Sequence, residues 1–173
     1  PTTETEKMGP SIRVGPVLFR LLATATLTVL AACGGAPAKE DKPPAPAPVL
    51  RIEVAATADA NRGPAGQALP IVVRLYELKA QGAFSGADFF SLYDREAKTL
   101  GGELIAREEL TLTPGQTRQI VKPLSPQARY LGVLGAFRDL DHAAWRALVP
   151  LADGKDNNLD VAVGAKAIRA QAR

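Results

Sequence analysis

Short runs of apolar residues, separated by Gly, Pro, Asn and Asp, occupy the chain from residue 49 to its end. The first run, VLRIEVAA over residues 49–56, alternates apolar and polar positions, as expected of a strand with one buried face. The second, PIVVRLYELK over residues 70–79, is rich in β-branched residues. The pattern predicts eight strands in an all-β sandwich. The six later runs are LIAREELTL, QTRQIVKPL, RYLGVLGAF, AAWRALVPL, NLDVAV and AKAIRAQA.

Two local signals refine this strand assignment. Thr113, Pro114, Gly115 and Gln116 separate the third and fourth runs. Proline presets the first central angle of a type II turn, and glycine accepts the positive φ at the second. We therefore expect these two strands to form a hairpin. The fifth run, residues 129–137, is apolar on both faces and holds two glycines, which predicts a central strand that its neighbours approach closely.

One segment, FSGADFFSLYDREAKTLGG, interrupts the strand pattern. Ser85 followed three residues later by Asp88 indicates a capping box at the start of a helix. Phe89, Leu92 and Tyr93 then fall on one helical face. Gly101 is suited to end a second short helix. We therefore expect a small helical insertion whose aromatic face packs against the sandwich.

Composition and charge limit the classes of function. The chain of 173 residues is 46% hydrophobic and 23% charged, which is typical of a globular protein. Its length suits one ordinary domain. The formal net charge is only +3 and no Lys/Arg cluster has interleaved aromatic residues, so we expect no nucleic-acid partner.

Side chains that could carry catalysis are sparse. His142 is the only histidine, and with Asp139 and Asp141 it makes a weak metal-ligand set, so a solvated turn is the preferred interpretation. Glu108 and Glu109 are adjacent and would point to opposite faces of a strand, which argues against a paired-carboxylate site. No serine has a base close to it in sequence, although a triad of distant residues stays open. We expect a binding protein with no catalytic residues, no metal and no small-molecule substrate.

The amino-terminal segment has a different pattern. Arg13 and Arg20 lie on the amino-terminal side of an apolar run over residues 21–30. This run has the length of a signal-peptide core and is too short to span a bilayer, which needs about 20 residues. It ends in LAAC, residues 30–33, an order that resembles the lipobox of bacterial lipoproteins. In a lipobox the cysteine is alkylated by diacylglycerol and becomes the first mature residue.

The lipobox resemblance implies a signal peptide over residues 1–32 and a covalent N-acyl and S-diacylglycerol lipid on Cys33. Met8 is the only methionine, so a start of translation there, with residues 1–7 as an upstream extension, stays open. Gly34 follows the cysteine instead of aspartate, which by similarity to enterobacterial sorting favours the outer membrane. The alternatives are secretory cleavage that leaves a free thiol and a membrane-spanning anchor.

Residues 33–48 are predicted to be the lipidated cysteine and a flexible tether. The sequence GGAPAKEDKPPAPAPV is rich in proline and poor in bulky side chains, so it cannot bury a core. At polyproline dimensions it would reach about 45 Å. The folded domain is predicted to be residues 49–173. It holds no cysteine, so no disulfide can stabilise it.

The order of these features resembles the type VI secretion outer-membrane lipoproteins, the TssJ family. After the lipobox and tether, the resemblance is carried by DANRGPAGQALPIVVRLYELK, FSGADFFSLYD, TLGGELIAREELTLTPGQ and YLGVLGAFRDLDHAAWRALVPL. Its most specific parts are VVRLYELK, ADFFSLYD and GAFRD with AWR. The resemblance implies a transthyretin-like two-sheet β-sandwich with a small helical insertion and without catalytic residues.

The resemblance also implies a partner and a location. The partner is the periplasmic domain of the inner-membrane subunit TssM, and the location is the periplasmic face of the outer membrane, through the lipid anchor. Family members contact TssM through the loop between the first two strands, here TADANRGPAGQAL. A periplasmic binding lipoprotein unrelated to secretion is the alternative, which an exposed aromatic platform would favour. However, the sole tryptophan, Trp145, lies in a predicted strand beside apolar residues, and we expect it to be buried. The positions carried over as partner-binding are Asp59, Asn61, Arg62, Gly63, Pro64, Gly66 and Gln67.

Overall fold

The computed structural model describes residues 46–173, so the predicted signal peptide, Cys33 and the tether up to residue 45 lie outside the described residues. The eight predicted strands are present and form two four-stranded sheets that pack face to face. This arrangement confirms the transthyretin-like two-sheet sandwich. The strands are β1 (Val49–Ala56), β2 (Ile71–Leu78), β3 (Leu104–Leu112), β4 (Thr117–Pro123), β5 (Tyr130–Gly135), β6 (Arg146–Pro150), β7 (Asn157–Val163) and β8 (Ile168–Ala172).

The two sheets enclose one hydrophobic core. Their strand orders are β4-β1-β7-β8 and β3-β2-β5-β6. Neighbouring strands are antiparallel, except that β1 and β7 run parallel. The alternation read in β1 buries Leu50, Ile52 and Val54 against the facing sheet, where Val73 and Leu75 of β2 are equally buried. The face of each strand that points towards the other sheet thus fixes which side chains meet in the interior.

Strands β3 and β4 do not form the predicted hairpin. The turn itself is as expected: Gly115 has a φ of 78°, and the Gln116 N–H donates to the Thr113 carbonyl at 3.0 Å. However, β3 pairs with β2 and β4 pairs with β1, so the turn carries the chain from one sheet to the other. The Gly115 N–H donates to the Thr57 carbonyl at the end of β1, at 3.1 Å. A type II turn reverses the chain, but it does not decide which strand receives the ladder hydrogen bonds.

Glu108 and Glu109 point to opposite faces of β3, as predicted. The Glu109 carboxylate lies 2.7 Å from Arg74 on the outer face, whereas the Glu108 carboxylate lies 3.6 Å from the Lys122 ammonium. Lys122 belongs to β4 of the facing sheet and also contacts Glu77 at 2.7 Å. Because Glu77 is only 4% exposed, this pair joins the two sheets by a largely desolvated ionic contact.

A helical insertion between β2 and β3 covers the outer face of that sheet. The predicted capping box at Ser85 is wrong, because Ser85 lies inside a separate short helix that ends at Gly86. Asp88 instead caps the next helix and accepts a hydrogen bond from the Ser91 N–H at 2.9 Å. Gly101 ends a short helix with a φ of 49°, as predicted, although this helix is the third of the insertion and not the second. The elements are α1 (Gly82–Gly86), α2 (Phe89–Asp94), α3 (Glu96–Leu100) and one 3-10 turn (Gly101–Glu103).

The insertion is fixed to the sheet by a second apolar cluster. Phe84 and Leu92 are buried there against Tyr76 of β2. The Phe84 ring lies over Gly132 of β5, where an added β-carbon would come within 3.0 Å of the ring. This close approach explains why the central strand β5 carries glycine, as predicted.

A polar network lies under the same insertion. The Arg74 side chain is only 11% exposed, and its Nε donates to the Glu109 carboxylate at 2.7 Å. Its Nη1 donates to the Tyr93 carbonyl at 2.6 Å, and its guanidinium lies 4.0 Å from the centre of the Tyr93 ring. The Tyr76 hydroxyl donates to the Glu96 carboxylate at 3.1 Å. Side chains of β2 and β3 thus hold the helices by charge-assisted hydrogen bonds.

We expect the stability of this network to fall at high pH. Burial raises the pKa of Tyr76 to about 12, from about 10 in an unfolded chain. The stabilisation is complete below the unfolded pKa and is lost as the pH rises through the folded one, on the order of 2–3 kcal/mol. Denaturant unfolding between pH 9 and 12 should therefore show a steep loss of stability. A Tyr76→Phe variant should show a shallower loss, and equal slopes for the two proteins would contradict the assignment.

The two ends of the sandwich carry different parts of the chain. The eight residues of β1 span about 26 Å between them. At the tether end, the chain arrives through Pro48, and the Val49 N–H donates to the Asp156 carboxylate at 2.8 Å. At the loop end, four connections meet: residues 57–70, 113–116, 136–145 and 164–167. Within residues 46–173, no helix has the length and apolar character needed to cross a bilayer.

Candidate protein-binding site at the loop end

Asn61 holds three of the loop-end connections together. It adopts a φ of 51°, a left-handed conformation that asparagine tolerates better than most residues, and it is 4% exposed. Its Nδ2 donates to the Pro70 carbonyl at 2.7 Å, and its Oδ1 accepts from the Arg138 N–H at 2.6 Å. Its own N–H donates to the Gly164 carbonyl at 3.1 Å. Asn61 therefore fixes the loop 57–70 to both neighbouring connections.

Asp59 and Arg62 form an exposed pair at the base of the loop. The Thr57 hydroxyl donates to the Asp59 carboxylate at 2.7 Å, and Arg62 Nη2 donates to it at 3.2 Å. The hydrogen bonds from Thr57 and Arg62 lower the pKa of Asp59. The Arg62 N–H also donates to the Ala165 carbonyl at 3.1 Å, which ties the backbone to the 164–167 turn. About half of each charged side chain faces solvent.

The loop tip, residues 63–67, closes on itself. The Gly66 N–H donates to the Gly63 carbonyl at 2.9 Å, and the Gly63 N–H donates to the Gln67 carbonyl at 2.8 Å. A β-carbon on Gly63 would lie 2.8 Å from the end of the Gln67 side chain, so a larger residue there would displace that exposed amide. Pro64, Gly66 and Gln67 are exposed. The tip is thus a small preformed turn that presents its side chains to solvent.

The 136–145 connection supplies a second charged rim. Asp139 accepts a hydrogen bond from the Lys166 ammonium at 2.7 Å and lies 2.7 Å from Nδ1 of His142. The hydrogen bond from Lys166, and to a smaller extent the one with His142, lowers the pKa of Asp139. The His142 side chain is 75% exposed, in a 3-10 turn (Leu140–His142). Among residues 46–173, no group of three His, Cys, Asp or Glu side chains is arranged to hold a metal ion.

The structure divides the seven sequence-predicted residues into two roles. Asn61 is buried and supports the loop, whereas the other six lie at or near the surface of the same loop. Sequence reasoning missed the contribution of Arg138, Asp139 and Lys166. These residues follow other strands, and no local pattern links them to residue 61. Only the packing of the sandwich ends brings them together.

Trp145 does not form an exposed aromatic platform. It lies just before β6 and not within a strand, and it is partly buried where burial was expected. Its ring meets Phe89 edge-on, with 5.4 Å between centroids. Two large apolar side chains are exposed within the described residues, Phe90 on α2 and Val121 on β4. They lie on the outer faces of different sheets. The aromatic residues therefore serve mainly to pack the insertion.

The fold and the loop end define the class of protein: a two-sheet β-sandwich that presents a preformed polar surface at one end. The chain belongs to the type VI secretion lipoprotein family. The family model T6SS-SciN, described as type VI secretion lipoprotein, VasD, EvfM, TssJ, matches residues 48–166. This is a family of structural secretion-system lipoproteins and not an enzyme family. No curated protein matches the sequence.

Three solved structures show the same similarity. The T6SS lipoprotein TssJ1 from Pseudomonas aeruginosa is 42% identical, with a TM-score of 0.71 over 74% of this chain and 98% of that one. Lip from Serratia marcescens, a membrane-bound component of the type VI secretion system, is 26% identical, with a TM-score of 0.67 over 73% and 98%. A structure described as the T6SS protein TssM C-terminal domain from EAEC matches at 26% identity, with a TM-score of 0.56 over 72% and 97%.

Proposed function

We propose that this protein is anchored in the outer membrane by lipid on Cys33 and that its loop end binds the periplasmic domain of a TssM-like inner-membrane subunit. In this way it would attach the type VI secretion channel to the outer membrane. The observation that carries the proposal is the separation of the two ends by the length of β1. The tether arrives at one end, and the preformed loops lie at the other.

The rigidity of the loop end supports a role in recognition. A loop already held in one conformation loses less conformational freedom on binding than a flexible one. Asn61 supplies that constraint from inside, while the tip at residues 63–67 stays exposed. The match to a structure described by the name TssM is consistent with the same partner.

Replacing the tip tests the partner assignment. We expect a Gly/Ser substitution of residues 63–67, with Asn61 retained, to weaken binding to the TssM-like periplasmic domain by about tenfold or more. The loss would follow from removing exposed contacts while the buried support stays in place. Copurification from detergent-solubilised membranes and biolayer interferometry would measure it.

The matched control is the turn at residues 153–155, at the tether end. Its replacement by Gly/Ser should leave the affinity within about twofold of wild type. If the tip variant binds as tightly as wild type and melts at the same temperature, the loop does not recognise the partner.

The lipid anchor has an independent test. Stable attachment requires more than one acyl chain, since a single chain holds a protein only marginally. We expect the full chain to incorporate a palmitate analogue during growth and to sediment with outer-membrane fractions. Cys33→Ala should abolish both, because no other cysteine is available. Labelling that persists in the Cys33→Ala variant would contradict acylation at this residue.

A further inference from the structure

A charged concavity lies beside the predicted recognition loop. Its walls come from loop 57–70, the 136–145 connection and the 164–167 turn, and they include Arg62, Arg138, His142 and Lys166. The only carboxylate in its wall is that of Asp139. Three permanently cationic side chains thus face one anionic side chain in a space open to solvent.

The ion pairs leave one cation available. Arg62 is paired with Asp59 at 3.2 Å, and Lys166 is paired with Asp139 at 2.7 Å. Asp139 is also shared with His142 at 2.7 Å. Arg138 is exposed and forms no ion pair with any residue of 46–173. The concavity therefore carries unneutralised positive charge, centred on Arg138.

The backbone at Arg138 is held in place. Its N–H donates to the buried Asn61 Oδ1 at 2.6 Å, and the Ala136 N–H donates to the Val72 carbonyl at 2.9 Å. The connection is also joined to the 164–167 turn, since the Ala144 N–H donates to the Lys166 carbonyl at 2.9 Å. A guanidinium on a fixed backbone is well suited to bidentate pairing with a carboxylate.

We propose that this concavity receives an acidic segment of the protein partner, with an Asp or Glu carboxylate paired to Arg138. The inference rests on the proposed function and extends the interface beyond loop 57–70. A protein fits better than an anionic lipid surface, because the concavity opens at the loop end, whereas the lipid tether joins the tether end. Complementary charge at such a rim acts chiefly on the rate of association and its dependence on salt.

Charge reversal at Arg138 tests the proposal. The full chain, purified in detergent, is compared with its variants for binding to the TssM-like periplasmic domain at 50 and 300 mM salt. Arg138→Glu should raise Kd by about tenfold or more at low salt, mainly through slower association, and Arg138→Gln should raise it by about threefold. In both variants, Kd should depend less steeply on salt than it does in wild type.

The control variant is Lys155→Glu, which makes the same change of charge at the tether end. Its Kd should stay within about twofold of wild type, and all variants should melt within a few degrees of one another. If wild type binds but Arg138→Glu binds with the same Kd and salt dependence, the concavity is not part of the interface. If wild type itself does not bind, the proposed function fails as well.

Discussion

Replacement of Asn61 by alanine is expected to lower the free energy of unfolding by about 3 kcal/mol. The variant leaves the Arg138 N–H and the Pro70 carbonyl without their buried partner, and each lost partner costs about 1–3 kcal/mol. Alanine at a φ of 51° adds strain of about 1 kcal/mol. Urea unfolding would measure the loss, and hydrogen exchange at the Arg138 amide should accelerate.

Asn61→Gly separates the two causes, because glycine accepts the positive φ but cannot replace the hydrogen bonds. We expect it to be less destabilised than Asn61→Ala by about 1 kcal/mol. Asn158→Ala, at an exposed position on β7, is the matched control and should change stability by less than about 0.5 kcal/mol. Unchanged exchange at the Arg138 amide in Asn61→Ala would show that Asn61 does not fix this connection.

Replacement of Arg74 by alanine is expected to cost a similar amount, about 3 kcal/mol. The side chain is almost fully covered, and its removal leaves the Tyr93 carbonyl and the Glu109 carboxylate without their closest donor. Breaking a buried ion pair by removing one partner costs about 3–5 kcal/mol. We expect the lower part of that range, because Arg107 still lies 3.7 Å from Glu109. Guanidinium unfolding provides the measurement.

Lysine at position 74 should recover only part of this stability. A single ammonium cannot donate from two separate nitrogens to Glu109 and to the Tyr93 carbonyl, and it does not stack on the Tyr93 ring as a planar guanidinium does. Arg118→Ala, on the exposed edge strand β4, is the control and should change stability by less than about 0.5 kcal/mol. A loss below about 1 kcal/mol in Arg74→Ala would mean that the apolar cluster alone holds the insertion.

The strands were predictable because their signal is local. Alternation along β1 and the β-branched residues of β2 report burial of one or both faces, and burial is what the sheets require. The φ of Gly115 was equally accessible, since it depends on four consecutive residues. The pairing of the strand that follows the turn could not be predicted from the sequence. Whether β4 pairs with β3 or with β1 is decided by the competition between distant edges.

The candidate site shows the same limit. Position 61 could be singled out within its loop, but its buried role depends on Pro70, Arg138 and Gly164, which lie up to about 100 residues away. Likewise, the sequence shows Asp88 near Ser85 without showing that a helix ends between them. Local patterns identify an element's chemistry, whereas the tertiary arrangement decides which polar atom satisfies which.

The position of β1 has a mechanical consequence. Tension between a lipid anchor and a partner at the far end would enter this strand at Val49 and leave it at Ala56, along the strand axis. Because β1 is flanked by β4 on one side and β7 on the other, its ladder hydrogen bonds would be sheared together instead of being unzipped singly. The sheet thus resists pulling in the direction in which an envelope-spanning machine would strain it.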